Sequence, residues 1–234
     1  MGGSLGGLTA GLLLRDAGCD VTVHERSRSA LDSRGAGIVS HEFTLRYLAA
    51  HDLVDIEEIS TSTDLWRYVD ADGETEVEEV GRYRFTSWNA IHKALLSHFD
   101  ADRYHLGSEV TGFDERGDGV VVRFSDRPPE RCDLLVCADG ISSSARTALF
   151  PGVDPVYAGY VGWRGTVPEA DLTPGAAAAA GEAIIYRLLD DSHILTYPIP
   201  NHDGGVAPGQ RLINSVWYRN VPEGPELDAL MTAV

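Results

Sequence analysis

The stretch Gly2-Gly3-Ser4-Leu5-Gly6-Gly7 decides the fold, and it leads into an apolar pattern of helical spacing over residues 8–17. A short β-branched stretch, Val21-Thr22-Val23-His24, follows and ends in Glu25-Arg26. A glycine turn, a helix, a strand and an acidic residue about 20 residues past the glycines form the dinucleotide-binding fingerprint. The pattern therefore predicts a Rossmann-like α/β domain.

Each residue type in this fingerprint has a physical role. Gly2 allows the tight turn, Gly6 and Gly7 let helix and strand pack closely, and the helix N-terminus offers N–H groups and partial positive charge to a pyrophosphate. Glu25 would accept hydrogen bonds from ribose hydroxyls. Ser4 stands where the second glycine of the fingerprint belongs, and it is small enough for a phosphate to approach. A flexible linker, the alternative, does not explain the helix, strand and acidic residue that follow.

The two ends of the chain depart from a complete domain of this kind. The fingerprint turn should follow a buried parallel strand, and only Met1 precedes it. The helical pattern from Pro225 to Val234 has no C-cap signal. A missing first strand would leave unpaired backbone groups beside an apolar face. We therefore expect a chain truncated at both ends that alone holds its dinucleotide poorly or not at all.

Composition excludes several classes of function. With 234 residues and 43% hydrophobic content, the chain has room for one large domain or two small ones. Its net charge of −17 repels nucleic acids and anionic membranes, and no apolar run approaches the roughly 18 residues of a membrane span. Three cysteines without a signal peptide predict reduced thiols in the cytoplasm, with Cys132 and Cys137 expected to be buried.

A second motif follows the apolar run from Cys132 to Ala138, which predicts a strand covered on both faces. The run ends in Asp139-Gly140 and a serine-rich helix start, Ser142-Ser143-Ser144. A carboxylate there would lie at the carboxyl end of a parallel strand, where ligands bind in open α/β sheets. The alternative is an Asp-Gly turn followed by a serine helix cap, and the residues alone leave both open.

The remaining chain divides between two predicted domains. A hairpin over Leu65 to Val80 turns at Asp70-Ala71-Asp72-Gly73, and Ser87 is placed to cap a helix. After Pro151 the segments 157–167, 184–197 and 211–218 are aromatic-rich and resemble an antiparallel sheet. We expect a dinucleotide domain at 1–64 and 82–152, and a β-sheet domain at 65–81 and 153–234.

Three segments together resemble the single-component FAD-dependent aromatic hydroxylases, also called group A flavoprotein monooxygenases. They are the glycine loop with Glu25-Arg26, the segment Cys137-Ala138-Asp139-Gly140-Ile141-Ser142-Ser143-Ser144-Ala145-Arg146, and Tyr157-Ala158-Gly159-Tyr160-Val161-Gly162-Trp163-Arg164-Gly165. The resemblance implies a Rossmann-like FAD-binding domain of the p-hydroxybenzoate hydroxylase type, lacking its first strand, and an antiparallel β-sheet substrate domain. It also implies hydroxylation of an electron-rich, hydroxylated aromatic or N-heteroaromatic ring with NADH or NADPH and O₂.

The resemblance assigns site residues by position. Those implied to bind FAD are Gly2, Gly3, Ser4, Gly6, Gly7, Glu25, Arg26, Val110, Asp139 and Gly140. Four residues of the aromatic β segments are candidates to contact substrate, although aromatics on half-buried strands are more often core: Tyr160, Trp163, Arg164 and Tyr197. No catalytic base is identifiable, and the eight scattered histidines show no metal-ligand spacing.

Other functions remain as alternatives. A flavin-dependent reductase or dehydrogenase of the same fold would transfer hydride without using O₂. An NAD-dependent dehydrogenase is disfavoured, because Asp139-Gly140 and the aromatic segments would have no role in it. An inactive fragment of a hydroxylase would fold or associate only. The expected partners are a small aromatic substrate and O₂, with no nucleic acid or membrane, and a homodimer is left open.

Overall fold

A computed structural model of the chain describes residues 1–31 and 36–232. It divides into a first unit, Met1–Arg34 with Ile91–Pro155, and a second unit, Gly35–Ala90 with Val156–Val234. The helices are α1 Leu5–Asp16, α2 Glu42–Ala50, α3 Trp88–Ser97, α4 Ser144–Leu149, α5 Pro174–Glu182 and α6 Pro225–Thr232. The strands are β1 Val23–His24, β2 Gly37–Val39, β3 Ser60–Val69, β4 Thr75–Ser87, β5 Tyr104–His105, β6 Val110–Arg116, β7 Gly119–Phe124, β8 Glu130–Cys132, β9 Tyr160–Pro168, β10 Ala183–Leu189, β11 Ser192–Ile199 and β12 Leu212–Asn220.

The first unit contains the predicted turn, helix and strand. Helix α1 buries Leu8 and Leu12, and β1 pairs in parallel with β5. At Gly11 the helix packs closely on a core side chain, because a Cβ there would lie 2.9 Å from the Phe99 ring. This unit also contains an antiparallel sheet of β6, β7 and β8, the helix α4 and most of α3. The predicted Rossmann-like α/β element is confirmed.

The predicted strand from Cys132 to Ala138 is wrong in extent and burial. Only β8 is strand, and residues 133–138 form no ladder. Among the described residues this segment has backbone hydrogen bonds only to Met1, whose N–H group donates to Val136 and whose carbonyl accepts from Ala138 at 2.8 Å. With no strand paired along it, Cys137 is exposed rather than buried. An apolar run becomes a covered strand only when neighbouring strands satisfy its backbone.

The second unit is built on a seven-stranded sheet in the order β2-β4-β3-β10-β11-β12-β9. Its core includes Phe85, Ile184, Tyr197 and Val216. The expected antiparallel sheet is correct except for one pair, because β3 and β10 run parallel. The predicted hairpin turn is confirmed, with Gly73 at φ +84°, a left-handed conformation that favours glycine.

The boundary between the units differs from the expected 1–64 and 82–152. Residues 36–64 and 82–90 lie in the second unit, because β2 pairs with β4 and β3 begins at Ser60. These pairings join residues far apart in sequence, so local pattern does not reveal them. The predicted helix cap is confirmed, since the Ala90 N–H group donates to Ser87 Oγ at 3.0 Å. None of the helices in the described residues is long and apolar enough to cross a membrane.

A buried ion pair stabilises the second unit. Glu169 and Arg211 are 5% and 7% exposed. The guanidinium donates from Nε to Oε2 at 2.9 Å and from Nη2 to Oε1 at 2.5 Å. The hydrogen bonds from Arg211, together with its charge, hold the pKa of Glu169 below its ordinary value. Bidentate geometry of this kind is what makes a buried pair tolerable in a low-dielectric interior.

Candidate functional site

The glycine loop requires glycine at particular positions. Gly2 has φ +95°, and a Cβ on Gly7 would lie 1.8 Å from the Gly2 carbonyl oxygen. A Cβ on Gly3 would lie 2.5 Å from the Tyr104 hydroxyl. Gly6 differs, because its nearest atom would be the Ala138 Cβ at 3.9 Å, an ordinary contact. The loop thus forms a cradle that side chains at three of the four glycines would strain or fill.

The N-terminus of α1 is open to an anion. Ser4 is the N-cap residue but makes no side-chain cap hydrogen bond, and the first turn contains no acidic residue. The first intrahelical bond runs from the Leu8 N–H group to the Ser4 carbonyl at 3.0 Å. The N–H groups of the first turn have no intrahelical partner, and the helix dipole gives them partial positive charge. This is the arrangement that binds phosphate groups.

Glu25 connects the loop to the end of β1. Its Oε2 accepts from the Gly3 N–H group and its Oε1 from the Ser27 N–H group, each at 2.8 Å. Burial acts to raise the pKa of the Glu25 carboxyl, but these backbone hydrogen bonds outweigh it and leave that pKa below its ordinary value. Each carboxylate oxygen has a second lone pair, so the group can still accept from a ribose hydroxyl.

Two side chains that the sequence did not indicate hold the other side of the loop. The Tyr104 hydroxyl donates to the Gly3 carbonyl at 2.9 Å, and His92 Nε2 lies 3.2 Å from the same oxygen. Burial, together with the nearby Glu25 charge, raises the pKa of Tyr104 to about 12, so the hydroxyl keeps its proton. These residues are about 90 and 100 positions from Gly3, and no motif marks them.

The Asp139-Gly140 turn lies against the glycine loop. A Cβ on Gly2 would be 2.2 Å from the Ala138 carbonyl oxygen and 3.2 Å from the Asp139 nitrogen. The structure therefore brings the two sequence motifs together. Gly140 has φ +77°, as the turn requires.

The Asp139 carboxylate also organises the start of α4. It accepts from Ser143 Oγ at 2.7 Å, from Ser144 Oγ at 3.3 Å and from the Ala145 N–H group at 3.2 Å. Burial acts to raise the pKa of Asp139, but these hydrogen bonds outweigh it and leave that pKa below its ordinary value. The capping alternative and the ligand-binding interpretation are thus compatible, because the same carboxylate fixes the turn beside the loop.

The remaining implied FAD residues lie in the same unit. Val110 begins β6 and lines a cleft of about 640 Å³ together with Gly2, Gly7 and Val122. Arg26 is exposed beside Glu25, and its charge helps to lower the pKa of that carboxyl. Small residues at a helix N-terminus and an acceptor at the strand end suit the pyrophosphate and ribose of FAD. Among the described residues no cluster of three or more acidic, histidine or cysteine side chains could hold a metal ion.

The candidate substrate residues of the second unit fall on two faces of the sheet. Alternation puts Tyr160 and Arg164 on one face of β9, and Tyr160 packs against Tyr218 with ring centroids 5.7 Å apart. Trp163 lies on the opposite face, where its ring is 5.0 Å from that of Trp217. Trp163 therefore cannot share a binding surface with Arg164.

Tyr197 lies on the Arg164 face and is 2% exposed. It pairs across the sheet with Asn214, whose Oδ1 accepts from the Gly37 N–H group at 3.1 Å. Burial raises the pKa of Tyr197 to about 12, and the nearby Arg164 charge opposes this. The guanidinium of Arg164 donates to the Gly37 carbonyl at 3.0 Å. Side chains from β9, β11 and β12 thus surround Gly37 of β2.

Comparison with known proteins shows which enzymes the chain resembles. A family model described as FAD binding domain-like matches residues 157–234. The 2,6-dihydroxypyridine 3-monooxygenase of Paenarthrobacter nicotinovorans is 39% identical over 235 residues, which cover 100% of this chain and 58% of that protein. The chain is thus similar, over its whole length, to an FAD-dependent aromatic hydroxylase.

Solved structures of this hydroxylase family share the fold. The 2,6-dihydroxypyridine-3-hydroxylase of Arthrobacter nicotinovorans matches with a TM-score of 0.89 and 38% identity, over 98% of this chain and 57% of its own. Klebsiella pneumoniae HpxO, complexed with FAD and uric acid, matches with a TM-score of 0.75 and 25% identity, over 96% of this chain and 56% of its own. The chain therefore spans somewhat more than half the length of these relatives.

Proposed function

We propose that this chain is part of an FAD-dependent monooxygenase that hydroxylates an electron-rich, hydroxylated N-heteroaromatic ring with NADH or NADPH and O₂. One observation carries the proposal: the glycine loop with Glu25 meets Asp139-Gly140, more than 100 residues further along the chain, in the first unit. Their chemistry suits a dinucleotide, and the family supplies FAD as that dinucleotide.

The residues of the first unit have distinct roles in the proposed site. The loop Gly2–Gly7 and the first turn of α1 would bind the pyrophosphate through backbone N–H groups. Glu25 would bind the ribose while fixing Gly3, and Asp139 would hold its turn against the loop. Tyr104 orients the Gly3 carbonyl and keeps its proton. Bound FAD would supply the redox and oxygen chemistry.

The second unit would position the substrate. Relatives named for dihydroxypyridine, and one complexed with uric acid, indicate a flat ring that contains nitrogen and carries oxygen substituents. We propose that the face of the sheet with Tyr160 and Arg164 contacts that ring, since aromatic side chains stack on planar ligands. Tyr197 lies on the same face but is 2% exposed, so it would support this surface from the core. The opposite placement of Trp163 removes it from this set.

The cellular location and the partners of the protein are also proposals. The three cysteines are all free in the structure, which supports the reducing environment of the cytoplasm. The net charge of −17 opposes binding to nucleic acid. We leave a homodimer as a hypothesis, which the sedimentation coefficient of the purified protein would test.

The test is a coupled assay of NADH oxidation and product formation. With FAD and 2,6-dihydroxypyridine, we expect NADH oxidation to yield a product that contains one additional oxygen atom by mass spectrometry. NADH oxidation that yields hydrogen peroxide and no hydroxylated product would instead support the reductase alternative. A chain that binds FAD but oxidises no NADH would support the inactive fragment.

A further inference from the structure

The face of the sheet that we propose for substrate carries one guanidinium. Arg164 pairs across the sheet with Val216, which pairs with Leu195, and Tyr218 lies two residues further along the same face. Arg164 Nη1 donates to the Gly37 carbonyl at 3.0 Å, and Nη2 donates to the Tyr218 hydroxyl at 3.3 Å. Both acceptors are neutral, so the positive charge of the guanidinium is not compensated by them.

No ion pair in the described part of the chain involves Arg164. Carboxylates are abundant in this protein, which has 36 acidic and 19 basic residues. In the same unit Arg67, Arg84 and Arg219 all pair with carboxylates, as does the buried Arg211. Arginine has five N–H donors, and two hydrogen bonds leave most of them available to a ligand.

The environment of Arg164 is aromatic and already ordered. Tyr218 packs against Tyr160 and also against His193, with ring centroids 5.7 and 5.2 Å apart. Trp66 stacks on Tyr186 at 4.7 Å along the same sheet. The hydrogen bonds to Gly37 and Tyr218 hold the guanidinium in place, so binding of a ligand does not carry the entropic cost of ordering this side chain. An anionic planar ring is the occupant that matches a fixed positive charge among aromatic rings.

We propose that Arg164 is the specificity-determining residue for the charge of the substrate, so that the ring binds as an anion with its negative oxygen against the guanidinium. This inference rests on the proposed function and narrows its substrate class. A deprotonated hydroxyl also makes the ring more electron-rich, which suits oxygen transfer to a ring carbon. Neutral rings of the same shape would bind more weakly.

The test measures binding of 2,6-dihydroxypyridine by calorimetry, at pH values below and above ionisation of its first hydroxyl, with 2,6-dimethoxypyridine as the neutral analogue. We expect the unmodified protein to bind the anion more tightly than either neutral form. Arg164→Met should weaken anion binding by about 10- to 100-fold, the value of a charged hydrogen bond, and remove the pH dependence. Arg164→Lys should retain part of the anion affinity and part of its pH dependence.

Arg187→Met is the matched control. Arg187 follows Tyr186 on β10, so it lies on the other face, where it donates to the Val69 carbonyl at 3.0 Å without an ion pair in the described residues. It should leave affinity and pH dependence unchanged. If Arg164→Met does not fold by circular dichroism, Arg164→Gln takes its place with the same expectation.

Several outcomes overturn the inference. They are anion affinity in the Arg164 variant within twofold of the control, equal losses for anion and neutral analogue, or no binding of the anion by the unmodified protein. The proposed function fails separately: anion binding that depends on Arg164 without any hydroxylated product would refute the monooxygenase and leave the charge specificity intact. Hydroxylation at unchanged KM in the variant would refute the charge specificity alone.

Discussion

Gly7→Ala should disrupt the glycine loop, whereas Gly6→Ala should not. A Cβ on Gly7 would lie 1.8 Å from the Gly2 carbonyl oxygen, and contacts under 3.0 Å are essentially never seen. Relief of this clash requires Gly2 to move by more than about 1 Å. Two contacts oppose that movement: the Gly2 N–H group donates to the His24 carbonyl at 2.9 Å, and Gly2 packs against Ala138.

The expected cost follows from these contacts. Overpacking of about 1–3 kcal/mol and a weakened hydrogen bond of about 1 kcal/mol together lower the free energy of unfolding by about 2–4 kcal/mol. Gly6→Ala meets only the Ala138 Cβ at 3.9 Å. Because alanine favours a helix over glycine, this control should be neutral or more stable by about 0.5–1 kcal/mol.

The assay is urea denaturation followed by far-ultraviolet circular dichroism, with both variants and the unmodified chain compared at one protein concentration. We expect the Gly7 variant alone to unfold at lower urea. Equal midpoints for the two variants would refute the close approach of helix and turn on which the site depends.

Three further predictions test the site and the sheet. Glu169→Gln leaves Arg211 buried beside a neutral partner and should cost about 3–5 kcal/mol in urea denaturation, while Glu169→Leu combined with Arg211→Met should recover most of that loss. Asp139→Ala removes the acceptor at the start of α4 and should lower the free energy of unfolding by about 1 kcal/mol, with weaker FAD binding in the same preparation. The pKa of Glu25 is lower in the folded chain than in the unfolded one. The stability that Glu25 contributes is therefore present above its unfolded pKa and is lost as the pH falls through its folded pKa. In an acid titration of stability, Glu25→Gln should lack that part of the pH dependence.

The glycine loop could be predicted because its requirements are local. Positive φ at Gly2 and the space beside Gly7 exclude other side chains, and so the residue types reveal the conformation. The opposite faces of Trp163 and Arg164 follow from strand alternation, once the strand is assigned. Asp139 was ambiguous because one carboxylate caps a helix and fixes a binding turn at the same time.

Other features depend on contacts distant in sequence. Nothing near His92 or Tyr104 indicates that both reach the Gly3 carbonyl. The pairing of β2 with β4 joins residues far apart in the chain, and no local pattern encodes it. The apolar run to Ala138 suggested a strand, but strands need partners for their backbone groups, and hydrophobicity does not supply them.

The most direct test of the glycine loop as the FAD site is an equilibrium titration of the purified chain with FAD. Flavin fluorescence monitors binding, and the same titration is made with Gly7→Ala. Titration detects weak binding that a desalting column would lose. We expect saturable binding of one FAD per chain, abolished or strongly weakened by the substitution. Equal FAD binding by the two proteins would contradict the assignment of the glycine loop as the FAD site.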